Sequence, residues 1–456
     1  MSNDRKLTNN LTEGHVGKKL LVFALPFMLS NALQMIYNMV DMVVVGKFVG
    51  SSGLSAVSIS AQIVMLMTTL CMGFSTSGQV YISQLTGAGN KEGIKKAIGT
   101  LFSTLMIGAV LMSIIGIAGS STFLHLLNTP VESIAQANTY MYICSGGIIF
   151  TFGYNMVSAV LRGMGDSKRP FMFVAIASIV NLILDLLFVG PLKMGVAGAA
   201  LATIIGQAVS FLWALYFLYK NRTSFSFDFK KESFKIDRPT LKVLVKLGVP
   251  FALQSSAISL SMVFVSGLVN TFGVFASATF GVGTKVSQIP GIMGQSIGMA
   301  VSSMVGQNMG AGKPERAKHT VHVGLMFTTC IYTLMGIIFF LFPSQLFSIF
   351  TNEQEVIDLS RMFVTSMLLG FPAMAFMSPI NAFIQGIGFA TFSFVTALLD
   401  GIVIRITLSW FLGIFLNLGL FGFFLGYSLA AYGTTIPAAV YFFSGMWRKR
   451  KMLTQS

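Results

Sequence analysis

Charge is what this sequence has least of. Only 10% of its 456 residues are Asp, Glu, Lys or Arg, where a soluble domain carries about a quarter. With 54% of the chain hydrophobic, too little polar surface exists to cover a water-soluble globule, and a soluble fold is excluded. Cysteine is nearly missing. Cys71, Cys144 and Cys330 each lie inside an apolar stretch and read as small buried hydrophobes, which removes a disulfide or metal framework. None of the four histidines, His15, His125, His319 and His322, sits mid-run, and none has a carboxylate or thiol at ligand spacing. The two-residue alternation of a β-barrel strand is absent. So is a nucleotide-binding loop. From Gly306 five residues rather than four precede the next Gly-Lys, and Lys313 is followed by Pro314 instead of Ser or Thr.

Long apolar runs separated by short polar ones are present instead, the pattern of many bilayer-spanning helices. A spanning segment must satisfy every backbone polar group internally, so these are helices. Twelve spans are predicted, over 19–46, 54–80, 94–119, 132–161, 170–191, 195–219, 241–270, 275–303, 316–342, 355–386, 391–415 and 418–446. The first run is too long for the core of a cleavable signal peptide. The predicted organisation is a tail (1–18), a six-helix lobe (19–219), a polar linker (220–240), a second six-helix lobe (241–446) and a second tail (447–456).

A net charge of +15 would suggest nucleic acid in a soluble protein, but here the charge reports topology. Basic residues cluster in the first tail (Arg5, Lys6, Lys18, Lys19), after span 2 (Lys91, Lys95, Lys96) and after span 4 (Arg162, Lys168, Arg169). They recur in and around the linker (Lys220, Arg222, Lys230, Lys231, Lys235, Arg238, Lys242, Lys246), after span 8 (Lys313, Arg316, Lys318) and in the last tail (Arg448, Lys449, Arg450, Lys451). All of these fall on one side if both termini are cytoplasmic, which fixes the expected orientation and a multi-pass location in the cell membrane.

The two halves repeat. Pro26 in LPFML matches Pro250 in VPFAL at an offset of 224. SQLTGAGNKE from Ser83 matches GQNMGAGKPE from Gly306 at 223. RGMG from Arg162 matches QGIG from Gln385 at 223, and GVAG from Gly195 matches GLFG from Gly419 at 224. An even number of spans per half makes the repeat parallel, about an axis along the membrane normal. Two such bundles facing each other enclose a central cavity, a geometry suited to alternating access.

On the two Q-x-x-GAG segments, LRGMGDSKRP after span 4, NLILD in span 5 and twelve helices in duplicate, the chain resembles the MATE (multidrug and toxic compound extrusion) family over essentially its full length. The resemblance implies export of diverse, mostly cationic or amphipathic compounds, driven by a Na⁺ or H⁺ gradient. It also implies a coupling role for Asp41, Asn181, Asp185 and Thr203, the positions used by the family's N-lobe-coupled prokaryotic branch, with Tyr37, Gln34 and Tyr140 as neighbours. Another branch carries a Glu in span 7 and an Asp in span 10. Here PFALQSSAISLSMVF in span 7 and GFPAMAFMSPINAFIQG in span 10 contain no acidic residue, which favours coupling through the first lobe.

The residues themselves point the same way. A charged Asp at a helix centre costs roughly 2.5–3.5 kcal/mol on insertion scales, and this chain has three mid-span: Asp41, Asp185 and Asp400. Gln34, Tyr37 and Asp41 share one face of span 1, and Asn181 and Asp185 one face of span 5. Thr203, Asn155 and Tyr140 stand on neighbouring spans. Carboxylate, amide and hydroxyl groups together suit a proton or Na⁺, a hard cation that prefers oxygen. The plainer alternative is that these groups only bond bundle helices to one another. Asp400 has Arg405 five residues on, so a local ion pair explains it best, whereas Lys285 reads as a buried charge whose partner the sequence does not name.

Pro26 interrupts span 1 and is either a static kink or a bend that answers Asp41. Met28, Met35, Met39 and Met42 stud the same span; Met35 is a candidate substrate contact, thioethers suiting a promiscuous pocket. The sum is a cation-coupled antiporter of small organic cations or amphiphiles. It is expected to need no cofactor beyond H⁺ or Na⁺, to partner only substrate and membrane lipid, to bind no nucleic acid and to be a monomer. The rivals are a lipid-linked oligosaccharide flippase of the same superfamily, an integral membrane enzyme, and a channel or receptor. Asp41 maps onto Val265 in the second half, and Asp185 near Arg405 or Ser409 depending on a short gap. The exchangeable charge is thus confined to the first half.

Overall fold

In a computed structural model, residues 10–450, 452 and 453 are described. Arg5, Lys6 and Lys451, assigned above to the tails, lie outside the described residues.

The apolar runs form helices without exception. Twelve long ones follow in order: α1 (Val16–Phe48), α2 (Ser51–Gly87), α3 (Lys91–Leu126), α4 (Val131–Gly163), α5 (Lys168–Val189), α6 (Gly195–Lys220), α7 (Arg238–Asn270), α8 (Val274–Gly310), α9 (Pro314–Leu341), α10 (Ser360–Gly386), α11 (Ala390–Phe415) and α12 (Gly419–Phe443). Among the described residues eleven are long and apolar enough to cross a membrane. The remaining one is α8, whose Gly, Ser and Thr residues and Lys285 dilute its apolar content. Several helices outrun the predicted spans: α2 continues to Gly87 because nothing before Gly89 breaks it.

The turns carry the repeat. After α2, Gly89 takes φ +66°, and the N–H groups of Gly89 and Asn90 bond the carbonyls of Thr86 and Leu85 at 3.1 and 3.0 Å. After α8, Gly312 takes φ +68°, and Gly312 and Lys313 bond Met309 and Asn308 at 3.1 and 2.8 Å. Both are glycine-dependent Schellman closures, which satisfy the orphan carbonyls of a helix end. The GAG segments are therefore tight turns. The Gly165 and Gly388 turns after α4 and α10 close in the same way.

Two compact units result. Of the described residues, one unit comprises 10 and 29–252, the other 11–28 together with 253–450, 452 and 453. The division does not run through the linker. The start of α1 belongs to the second unit, where buried Leu20, Phe23 and Phe27 join a core with Ile297, Val301 and Phe383. The start of α7 belongs to the first unit, where Leu244 is buried in the core. Pro26 and Pro250 lie within α1 and α7, each a few residues before its helix passes from one unit to the other.

Three side chains depart from the sequence reading. Lys285 is exposed rather than buried, on a helix face that carries no core residue beside it. Cys330 is exposed too, whereas Cys71 and Cys144 are buried. Arg162, counted above with the loop after span 4, lies in the last turn of α4 and is buried, its Nε donating to Gln79 Oε1 at 2.8 Å.

Candidate functional site

Within the first unit α1, α4, α5 and α6 bring polar side chains together. Heptad-like spacing puts Gln34, Tyr37 and Asp41 on one face of α1, and a four-residue step does the same for Asn181 and Asp185 on α5. Gly206 on α6 lets α5 approach: a Cβ there would stand 3.0 Å from the Ala177 carbonyl oxygen and 3.2 Å from Asn181 Cβ. That close passage allows Asn181 Nδ2 to donate to Thr203 Oγ1 at 3.5 Å.

The carboxyl groups of Asp41 and Asp185 lie close enough to interact directly, and Asn181 stands beside Asp185 on the same helix. Asp185 is 1% exposed and Asn181 4%. One oxygen of each carboxyl, Asp41 Oδ1 and Asp185 Oδ1, is buried without a hydrogen-bond partner. Beside the pair runs a narrow cleft of about 20 Å³, room for little more than a water molecule, lined among others by Gln34, Tyr37, Tyr154, Asn181, Thr203 and Gln207. The oxygens on offer belong to carboxylates, amides and hydroxyls, and a proton or a hard monovalent cation fits that donor set.

The other candidates are arranged differently. Tyr140 is 5% exposed and stands one turn before buried Cys144 on α4. Asn155 Nδ2 donates to the Thr151 carbonyl of its own helix at 2.8 Å and does not line the cleft. Its neighbour Tyr154 does, because consecutive helical residues point about 100° apart. Met35 is half-buried and also off the cleft wall. Pro26 belongs to the second unit. Sequence reasoning passed over Tyr154, Ser178 and Gln207. Ser178 could have been found, since it stands seven residues before Asp185 on the face already singled out.

In the second unit, Arg405 Nη2 bonds Asp400 Oδ1 at 3.0 Å, and Thr434 Oγ1 donates to Asp400 Oδ2 at 3.2 Å. The Arg405 guanidinium lies 5.1 Å from the Tyr427 ring centroid. Residues 399–405 are π-helical, and the i to i+5 bonding of a π-turn aligns positions five apart. The local ion pair expected for Asp400 is therefore formed. Among the described residues no group of three or more His, Cys, Asp or Glu side chains gathers as a metal site.

Known proteins fit this picture. The MatE family profile matches residues 26–187 and again 250–411, two stretches that begin and end 224 positions apart. A probable multidrug resistance protein of Bacillus subtilis, YpnP, is 29% identical over 460 residues, covering 98% of this chain and 99% of its own. A probable multidrug resistance protein of Thermotoga maritima, NorM, is 25% identical over 449 residues, covering 96% and 95%. A solved transporter of the MOP superfamily from Pyrococcus furiosus superposes with a TM-score of 0.89 at 22% identity, covering 98% of both chains. The last comparison establishes the shared fold. The chain belongs to the MatE family, the multidrug and toxic compound extrusion transporters, and is a multi-pass membrane protein with a two-lobed, all-helical fold.

Proposed function

We propose that this protein is a cation-coupled antiporter that exports diverse, mostly cationic or amphipathic compounds by alternating access. The observation that carries the reading is the pair of facing carboxyl groups, Asp41 and Asp185, each with a buried oxygen that lacks a partner. Two carboxylates this close repel unless a positive charge lies between them. A proton or Na⁺ bound there, with Asn181, Thr203 and Tyr37 completing the site, relieves the repulsion. A cationic substrate bound in the same lobe competes for the same negative charge. Entry of the coupling cation then displaces substrate, and export follows the ion gradient.

The names of the relatives support the substrate class, and the lack of acidic residues in α7 and α10 supports coupling through the first lobe. The excess of Lys and Arg on one side supports a cell-membrane protein with both termini in the cytoplasm. The protein is read as a monomer without a cofactor other than H⁺ or Na⁺.

Efflux of a fluorescent organic cation from cells expressing Asp41→Asn tests the proposal. Gradient-driven efflux is expected to disappear while the protein still reaches the membrane; wild-type rates would overturn it. Exchanging Na⁺ for choline at a fixed pH gradient identifies the ion: unchanged efflux assigns H⁺, abolished efflux assigns Na⁺.

A further inference from the structure

Between α3, α6 and the polar linker the first unit carries a groove of about 360 Å³, walled by Phe102, Leu215, Tyr216, Tyr219, Phe229 and Phe234. Every wall residue is apolar or aromatic. The rim is basic. Lys220 Nζ stands 6.0 Å from the Tyr216 ring centroid and the Arg222 guanidinium 5.2 Å from that of Tyr219, and Lys230, Lys231 and Lys235 are exposed in the linker. The acidic residues of the linker are Asp228, paired with Lys95 at 2.8 Å, Asp237, whose carboxylate lies 4.0 Å from Lys96 Nζ and accepts from the Thr240 hydroxyl at 2.7 Å, and exposed Glu232.

The linker wall is built rather than draped. Ser103 Oγ donates to the Phe234 carbonyl at 2.6 Å, and the Asp237 N–H to Thr100 Oγ1 at 3.1 Å. The Ser233 carbonyl presses so closely on α3 that only a glycine fits at position 99. Phe229 itself is held at φ +55°, a left-handed conformation unfavourable for an aromatic residue. It packs edge-on against Tyr219 and Phe227 at 5.4 and 4.9 Å. A segment whose one task was to join two lobes would need none of this.

Exposed Trp213, Tyr216 and Tyr219 on the last two turns of α6 mark the level where acyl chains meet headgroups. An apolar trough at that level, crowned by cations, complements a lipid carrying a negative headgroup. We propose that the groove is a binding site for an anionic phospholipid of the leaflet bordering the linker, its acyl chain against Phe102, Leu215 and Phe234 and its phosphate between Lys220 and Arg222. This site is separate from the Asp41 and Asp185 cluster and does not rest on the transport reading.

The test uses the full-length protein in detergent, titrated with phosphatidylglycerol or with phosphatidylcholine of the same acyl chains. Bound lipid is counted by native mass spectrometry and stability followed by thermal unfolding. Phosphatidylglycerol should bind and stabilise at lower concentration, with each rim cation supporting roughly a fivefold preference. Lys220→Gln with Arg222→Gln should bring its curve onto that of phosphatidylcholine. Leu215→Trp, which fills the groove, should abolish retention of either lipid; should that variant not fold, the charge variant decides. Equal binding of the two lipids by the wild-type protein, or an undiminished preference in the charge variant, overturns the proposal. A two-chain mass lost in Leu215→Trp would assign the groove to a second copy and overturn it as well.

Discussion

Asp41 and Asp185 share one environment, and groups that act as a unit lose their function together. Asp41→Asn, Asp185→Asn and the double variant are therefore expected to show the same loss of gradient-driven efflux in vesicles, with no further decline in the double. None should melt at a lower temperature than the wild-type protein, because each substitution removes a like-charge contact. Asp400 behaves in the opposite way. Removing one partner of a buried ion pair leaves the other uncompensated, so Asp400→Ala should destabilise the protein by about 3–5 kcal/mol. Asp400→Leu combined with Arg405→Met should recover most of that, as read from thermal melting. Such residues were legible in the sequence because a carboxylate inside an apolar run is conspicuous and helical spacing gives its face. Tyr154 was not. Choosing it over Asn155 requires the rotation of α4 about its axis, and an apolar helix with polar residues side by side does not reveal that rotation.

Among the elements, α11 shows how a duplicated helix diverges. The Gly165 turn repeats at Gly388, an offset of 223, and the left-handed residues Lys193 and Gly195 repeat at Asn417 and Gly419, an offset of 224. The second repeat thus holds one extra residue within α11, the helix that contains π-helical segments at 399–405 and 411–415. An inserted residue either shifts every later side chain by about 100° or is absorbed by widening a turn, and α11 widens. Beyond the insertion, Arg405 and Tyr427 occupy the repeat positions of Asn181 and Thr203. The contact between α5 and α6 persists in the second unit as an Arg–aromatic pair in place of an amide–hydroxyl one. The linker is a second informative element. Sequence showed it only as polar, since its docking depends on Gly99 and on aromatic residues spread along the chain. Gly99→Ala should release it and raise the rate of proteolytic cleavage between residues 228 and 237. The Lys95 ammonium and the Ser233 hydroxyl hold the Asp228 carboxyl well below the usual carboxylate range. A lowered acid stabilises above its unfolded value and fails as pH falls through the folded one. The clamp should accordingly be intact above about pH 4. Hydrogen exchange across 228–237, corrected for intrinsic rates, should show equal protection at pH 5 and pH 8 and lose it in stronger acid.

At the scale of the whole molecule, duplication was readable from four matched motifs, and hydropathy marks eleven of the twelve predicted spans among the described residues. Membership of the compact units was not readable, because hydropathy shows that a helix is buried without naming its neighbours. Residues 11–28 supply Leu20, Phe23 and Phe27 to the core of the second unit. A fragment beginning at Arg238 should therefore aggregate when expressed alone and elute as a defined species when coexpressed with residues 1–237, as judged by size-exclusion chromatography in detergent. The same exchange sets a schedule for biogenesis. The opening turns of α1 leave the ribosome well before α8 to α12, the helices that cover them. For most of synthesis Leu20, Phe23 and Phe27 must rest against lipid or an insertion factor, so a stalled chain displays an unpaired first helix that quality-control machinery can recognise.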